Sequence, residues 1–224
     1  MEDRIAVRVV PRIGELDAQQ WDACAGREDP FLSYDFLDAL EESESAVAEE
    51  GWLPQHLAIE DEGRIVACAP LYVKGHSYGE YVFDWSWANA YERAGQRYYP
   101  KLQSCVPFTP VGGKRLLVHP DADREKLEGV LLGAMAELTA KLEVSSLHLT
   151  FLDKQQWTRC GEMGLLQRVG VQYHWQNRGY DSYDDFLGEL LGRKRKALRK
   201  ERREAQASGV TLHPLTGDDL QPEH

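Results

Sequence analysis

No apolar run in this sequence approaches the roughly 20 residues needed to span a bilayer. The longest, Ile65–Tyr72 with Pro70 inside it and Val130–Ala136, are short, so a transmembrane helix is not expected. Met1-Glu2-Asp3 is acidic and lacks the positive and apolar regions of a secretion leader, and the expected address is the cytoplasm. Cysteine is scarce: four stand at 24, 68, 105 and 160, with no Cys-x-x-Cys pair and no His at zinc spacing. Reduced, buried thiols are expected. The seven histidines form no His-x-x-x-His or Glu-x-x-His pattern, and no metal site is expected. A Walker loop, a Gly-x-Ser-x-Gly elbow and a Gly-x-Gly-x-x-Gly loop are all missing. Phosphotransfer, serine hydrolysis and dinucleotide chemistry thus lack their usual marks.

What is present is an ordinary globular composition, 42% hydrophobic and 28% charged, in 224 residues. At about 150 residues per domain, that is one and a half domains. Net charge is −11, yet Arg193–Arg203 (RKRKALRKERR) carries +7, leaving −18 on the remainder. An acidic body with one concentrated basic element would draw a polyanion to that element and repel it elsewhere.

Periodicity gives the elements. Ile5–Val10 reads as a strand, and Asp17 and Ser33 cap short helices carrying Trp21 and Leu37. Gln55–Glu60 and Arg64–Lys74 form a hairpin around Asp61-Glu62-Gly63. Leu102–Phe108 and Arg115–Val118 are strand candidates. A long helix follows Asp121 or Asp123, with apolar residues at 127, 131, 134, 138 and 142. Ser146–Leu152 reads as a strand, Lys154–Met163 as a helix and Leu165–Arg178 as β-rich. Ser182 and Asp185 open a last helix, running to about Ser208 before Gly209. This alternation predicts an α/β (α+β) fold, a mixed sheet flanked by helices. Val7, Val9, Pro11, Gly14 and Glu15 also align with Val210, Leu212, Pro214, Gly217 and Asp218. That weak repeat suggests a second copy of the domain beginning near 209.

Two stretches suit chemistry. Residues 77–101 hold eight of the 22 aromatics, interleaved with charges. His76, Tyr78, Tyr81, Trp85, Trp87, Arg93, Tyr98, Tyr99 and Lys101 are the candidate substrate contacts, for a ligand part apolar and part polar such as a sugar or peptide. Asp84, between Phe83 and Trp85, and Glu80 are the candidate proton acceptors; burial would raise the Asp84 pKa, as a general base requires. The alternative is a structural loop whose aromatics fill space between sheet and helices. The basic helix offers Arg193, Lys194, Arg195, Lys196, Arg199 and Lys200 to phosphates: a tRNA backbone, a diphosphate-linked lipid precursor or an anionic membrane. Four of its eight cations fall near the helix C-terminus, where the dipole tolerates them. The alternative there is a solvated face balancing the acidic body.

His-Ser-Tyr-Gly-Glu-Tyr-Val-Phe-Asp-Trp (76–85), Ala90-Tyr-Glu-Arg-Ala-Gly, Tyr98-Tyr-Pro-Lys-Leu, Val106-Pro-Phe-Thr-Pro-Val and Asp29-Pro-Phe-Leu-Ser resemble the FemAB-like branch of the GNAT acyltransferase superfamily, labelled peptidoglycan biosynthesis or recognition. The likeness runs over essentially the whole chain. It implies two GNAT-like halves: the first at 1–180, a linking basic helix at 181–208, and a second that starts at 209–224, its remainder missing. It implies transfer of an aminoacyl or acetyl group to an amine, on a small molecule or a peptidoglycan precursor. The implied donor is aminoacyl-tRNA, meeting the basic helix, or acetyl-CoA, with no permanently bound cofactor. The Arg/Gln-x-x-Gly-x-Gly/Ala loop with which acetyl-CoA-using GNATs hold pyrophosphate is not found. The rival expectation is a non-catalytic module of the same fold that binds a cell-wall or peptide ligand.

Overall fold

The computed structural model describes residues 5–207 and 209–222, which divide into two compact units meeting at Gly170 and Val171. In the first unit the strands and helices run in the order β1 (Ala6–Val10), α1 (Ala18–Ala25), α2 (Tyr34–Glu42), β2 (Trp52–Pro54), β3 (His56–Asp61), β4 (Arg64–Ala69), β5 (Tyr72–Lys74), α3 (Trp85–Arg93), β6 (Lys101–Ser104), β7 (Leu117–Val118), α4 (Arg124–Lys141), β8 (Leu147–Leu149) and α5 (Lys154–Glu162). The second unit holds α6 (Tyr183–Gly188) and α7 (Gly192–Ala207).

Two four-stranded sheets form in the first unit. The antiparallel sheet has the order β1-β3-β4-β7, with Ala58 opposite Cys68 and Ala67 opposite Val118. The mixed sheet has the order β2-β5-β6-β8; only β6 and β8 run parallel, Gln103 beside His148. The expected hairpin is real, but it bends and serves both sheets. Pro70 has no N–H to give a ladder, so the Arg64–Lys74 run divides there. The Pro70 carbonyl accepts instead from Ser104 Oγ at 2.8 Å. The bend is fastened by His56, fully buried: its Nδ1 accepts the Leu71 N–H (3.2 Å), so the ring proton sits on Nε2 and faces Glu41 Oε1 at 2.7 Å.

At β3 and β4 the antiparallel sheet is covered on both faces, which explains their dense apolar runs. Leu57, Ile59, Ala67 and Ala69 pack with Leu127, Leu131, Met135 and Leu138 of α4. On the other face Ala58, Cys68 and Leu117 meet Trp21 and Leu37 from α1 and α2. Asp17, Ser33, Asp123 and Asp153 each accept a backbone N–H at the start of α1, α2, α4 and α5; the first three are caps that the sequence signalled.

Several expectations fail. Leu165–Arg178 is no strand: among the described residues no strand pairs with it, and Leu166, Val169, Val171 and Tyr173 are 80% exposed or more. Alternation makes a strand only where a neighbour accepts the ladder bonds. The strands expected at 102–108, 115–118 and 146–152 are shorter, Lys101–Ser104, Leu117–Val118 and Leu147–Leu149. Residues 210–212, which the weak repeat aligns with β1, form no strand, and Val210 and Leu212 are exposed. The long helix from Ser182 breaks at 189–191. Ser182 does cap α6, its Oγ accepting the Asp185 N–H at 3.1 Å, but Arg195 reaches back to the Gly188 and Leu190 carbonyls at 3.1 and 3.0 Å. Those donors satisfy the end of α6 and make a fresh start at Gly192 stable. Arg193–Lys196 therefore occupy the first turn of α7, at the positive end of the dipole and not the negative one.

Candidate functional site

The mixed sheet places alternate residues on opposite faces. Val73, Leu102, Leu147 and Leu149 pack on the α4 core. The other face carries Lys74 directly opposite Lys101, Tyr72 opposite Gln103, and His148 beside Gln103. Two buried lysines side by side repel each other and are destabilising. The segment 75–100 answers them by lying over this face and supplying two carboxylates.

Lys101, fully buried, donates to Glu80 Oε2 and Asp84 Oδ2, both at 2.7 Å, and to Ser77 Oγ at 3.1 Å. All three of its N–H bonds are thereby used. Tyr98 OH donates to the same Asp84 oxygen at 2.6 Å, and the Ser77 and Tyr99 hydroxyls are 2.7 Å apart. The Gln103 amide, nitrogen toward Glu80, lies 2.9 and 3.0 Å from its two oxygens. Lys74 Nζ sits 3.2 Å from the centre of the Trp52 ring and donates to the Tyr78 carbonyl at 3.3 Å. Two cations and two anions thus balance in one sealed cluster, and Asp84 Oδ1 has no partner among the described residues.

The electrostatics of this cluster differ from the rise expected at Asp84. Burial pushes the Asp84 pKa up, but hydrogen bonds from Lys101, Ser77 and Tyr98 outweigh it and hold it at about 2. Asp84 is a fixed anion, the opposite of a base poised near neutrality. Burial raises the Glu80 pKa, and Lys101 only partly opposes it. Burial lowers Lys74 to about 8, with Glu80 opposing. Burial and the Lys101 charge lower His148 to about 4.

Above the cluster is an exposed aromatic surface. His76, Tyr78 and Trp85 stand in file, with ring centres 5.2 and 4.9 Å apart. Tyr78 is 67% exposed and Phe83 71%. The loop is held by unusual backbone: Tyr81, Phe83 and Phe108 have φ of 58°, 50° and 58°, a region bulky residues avoid and which costs about 1–3 kcal/mol each. Two glycines make room. A Cβ on Gly51 would stand 2.4 Å from the His76 ring, and one on Gly79 2.7 Å from that of Phe108.

The structure therefore sorts the expected contacts into layers. Glu80, Asp84, Tyr98, Tyr99 and Lys101 join the network beneath, while His76, Tyr78, Tyr81 and Trp85 belong to the surface. Trp87 lies under the Arg168 guanidinium at 5.1 Å. Arg93 turns back onto its own helix, donating to the Asn89 carbonyl at 3.2 Å. Sequence reasoning missed Lys74, Ser77, Gln103 and His148. The signal was there: Tyr72-Val73-Lys74 and Lys101-Leu102-Gln103 alternate polar with apolar, which marks one polar face on adjacent strands. It also missed Arg115, fully buried, which donates to the Thr150, Lys114 and Val111 carbonyls and shapes the loop 109–116.

In the second unit, Arg193, Lys194, Arg195, Lys196, Arg199 and Lys200 all lie on α7, but Arg195 and Arg199 point back toward α6. All four cysteines are buried free thiols. Among the described residues no group of three or more His, Cys, Asp or Glu is placed to hold a metal, and no helix is long and apolar enough to cross a membrane.

Residues 12–224 match the model of the FemAB-like family, described as peptidoglycan biosynthesis/recognition. No curated protein sequence matches the chain. Among solved structures, it is similar to a ribosomal-protein-alanine N-acetyltransferase from Brucella melitensis biovar Abortus, with 13% identity and a TM-score of 0.44 over 77% of this chain and 99% of that one. It is also similar to an aminoglycoside 6'-N-acetyltransferase from Acinetobacter haemolyticus (13% identity, TM-score 0.45, 77% and 98% covered). A further likeness is to a possible acetyltransferase from Clostridium difficile (11% identity, TM-score 0.45, 77% and 97% covered). The family match takes in all but the first eleven residues, and the chain belongs to the FemAB-like family of peptidoglycan biosynthesis/recognition.

Proposed function

We propose that the chain is an N-acyltransferase that moves an acyl group to an amine presented on the aromatic surface of residues 76–87, the acceptor being a peptidoglycan precursor or a related small molecule. Family membership supports the reaction class. The observation that carries the site is the pairing of an exposed, backbone-strained aromatic surface with a buried, charge-balanced cluster directly beneath it in sequence and space. The attacking amine must shed a proton. Asp84, held at about 2, is a positioning anion. Glu80, raised by burial, is the better proton acceptor. The aromatic file would hold the apolar faces of the acceptor.

The donor is aminoacyl-tRNA or acetyl-CoA. The start of α4 gives no welcome to a pyrophosphate: Asp123 Oδ1 already accepts the Lys126 N–H at 3.1 Å, and Asp121 and Glu125 flank it. This favours a donor other than a CoA thioester held at that helix.

Turnover of amine acceptors with each donor, followed by product mass, tests the reading. Trp85→Ala is expected to raise KM for the acceptor about tenfold, as loss of one aromatic contact would, with an unchanged melting temperature. Glu80→Gln is expected to lower kcat at least tenfold while acceptor binding persists. The sealing of both carboxylates, 3% and 0% exposed, favours a second reading, a recognition module without turnover. A chain that binds peptidoglycan peptides but turns over neither donor would establish that reading.

A further inference from the structure

Lys74 and Lys101 are both fully buried, but they are compensated unequally. Lys101 donates to three oxygens, two of them carboxylate. Among the described residues, Lys74 has no carboxylate at ion-pair distance; its Nζ has the Tyr78 carbonyl at 3.3 Å and the Trp52 ring centre at 3.2 Å. A well-packed apolar side chain is often as stable as a buried charge, or more so, so stability does not account for an ammonium here. What it touches does. Lys74 holds the Tyr78 carbonyl, and the Phe108 N–H holds the next one, of Gly79, at 3.0 Å. The Phe108 ring in turn packs on Trp52, centres 5.3 Å apart, so both holds rest on one indole. Together they fix the backbone from which the exposed Tyr78 ring reaches between His76 and Trp85.

We propose that Lys74 is a positioning residue for the acceptor surface: its ammonium, seated on Trp52, sets the Tyr78 carbonyl and with it the Tyr78 ring, so that the aromatic file is in place only while Lys74 is charged. The proposal rests on the reading of that file as the acceptor site and not on the identity of the donor. The titratable groups facing Lys74 are Glu80 and His76 of the loop, Lys101 of β6 and Cys105 just beyond it. Burial outweighs Glu80 and lowers Lys74 to about 8, so the ammonium is lost as pH rises through that value. A neutral amine gives up its attraction to the indole face. His76, lowered by burial, titrates below this window, and Cys105, pushed up to about 12, above it.

The test is fluorine NMR of the full chain carrying fluorotryptophan, with the Trp85 resonance assigned by its loss in Trp85→Phe. Trp85 stacks on Tyr78, whereas it is Trp52 that carries the ammonium. A pH series is expected to move the Trp85 resonance with a midpoint of about 8. Lys74→Met should abolish that step. So should Tyr78→Leu, a change at an exposed position that tests the relay even where Lys74→Met does not fold. A Trp85 resonance that stays flat through the window would overturn the proposal, as would a step that survives either substitution. In turnover assays with amine acceptors, KM should rise about tenfold across the same window with kcat little changed. Lys74→Met should show the high KM already at neutral pH, with no further step. A fall in kcat at constant KM would also overturn the proposal. A chain that turns over no amine would defeat the acyltransfer reading alone, and the Trp85 titration would still decide this one.

Discussion

Lys74 and Lys101 face each other across β5 and β6, and the fold tolerates them only because Glu80 and Asp84 lie within the same sealed space. Removing one partner of a buried pair costs about 3–5 kcal/mol, because the other charge is left uncompensated. The same burial makes stability depend on pH. His148 is held at about 4 in the folded chain against 6.5 in the open, so between those values the unfolded state binds more protons. Stability should fall as pH drops through that window. Asp84 acts next: its contribution is complete above its unfolded value of 3.8 and is lost as pH approaches about 2. Glu80, shifted upward, works in the opposite direction and softens the decline. Melting temperature should therefore fall in two stages on acidification. His148→Asn should remove the first, and a variant with the parent's profile from pH 6.5 to 4 would refute this assignment.

Among the elements, β7 is only two residues long, and one glutamine from α5 stands in for the strand it lacks on its open side. Gln156 Oε1 accepts the Arg115 and Leu116 N–H groups at 2.8 and 3.2 Å, and its Nε2 donates to the Leu116 carbonyl at 2.7 Å. Gln156→Leu keeps the volume but leaves three buried backbone groups unpaired, each worth about 1–3 kcal/mol. Urea unfolding should show a loss of about 3 kcal/mol or more; a loss under about 1 kcal/mol would mean that water replaces the glutamine. The sequence flagged α5 itself but gave no sign of this role, because a side chain that completes a sheet is defined by what lies across from it. The break between α6 and α7 has the same origin in part. Glycines at 188 and 192 weaken a continuous helix there, and the reach of Arg195 to two carbonyls favours a new start.

For the whole molecule, the first unit ends where an apolar segment finds no cover. Leu166, Val169, Val171 and Tyr173 stand exposed without ladder bonds, and such backbone opens at little cost. Limited proteolysis should therefore cut first within 166–175, ahead of any site in 5–164. Initial cleavage inside α4 or the sheets would contradict this. Much of the first unit was legible beforehand. Caps at Asp17, Ser33 and Asp123, the hairpin turn and the apolar stripe of α4 all announce themselves locally. The division of the strands between two sheets was not legible, since it depends on Pro70 meeting Ser104 across the fold.

The sequence by itself determined where most helices begin, which strands form the central hairpin, and that residues 76–101 and 193–203 are the chemically dense stretches. These follow from short-range causes: capping, turn chemistry and spacing. Its aromatic-rich motifs also carried the family. Tertiary structure alone decided that the Asp84 pKa is held down and not raised, since the hydrogen bonds from Lys101, Ser77 and Tyr98 together outweigh burial. It alone turned Arg195 and Arg199 of the basic helix back onto α6. The physical reason is common to both: a charge takes its role from the partner that reaches it, and partners distant in sequence meet only in the folded chain.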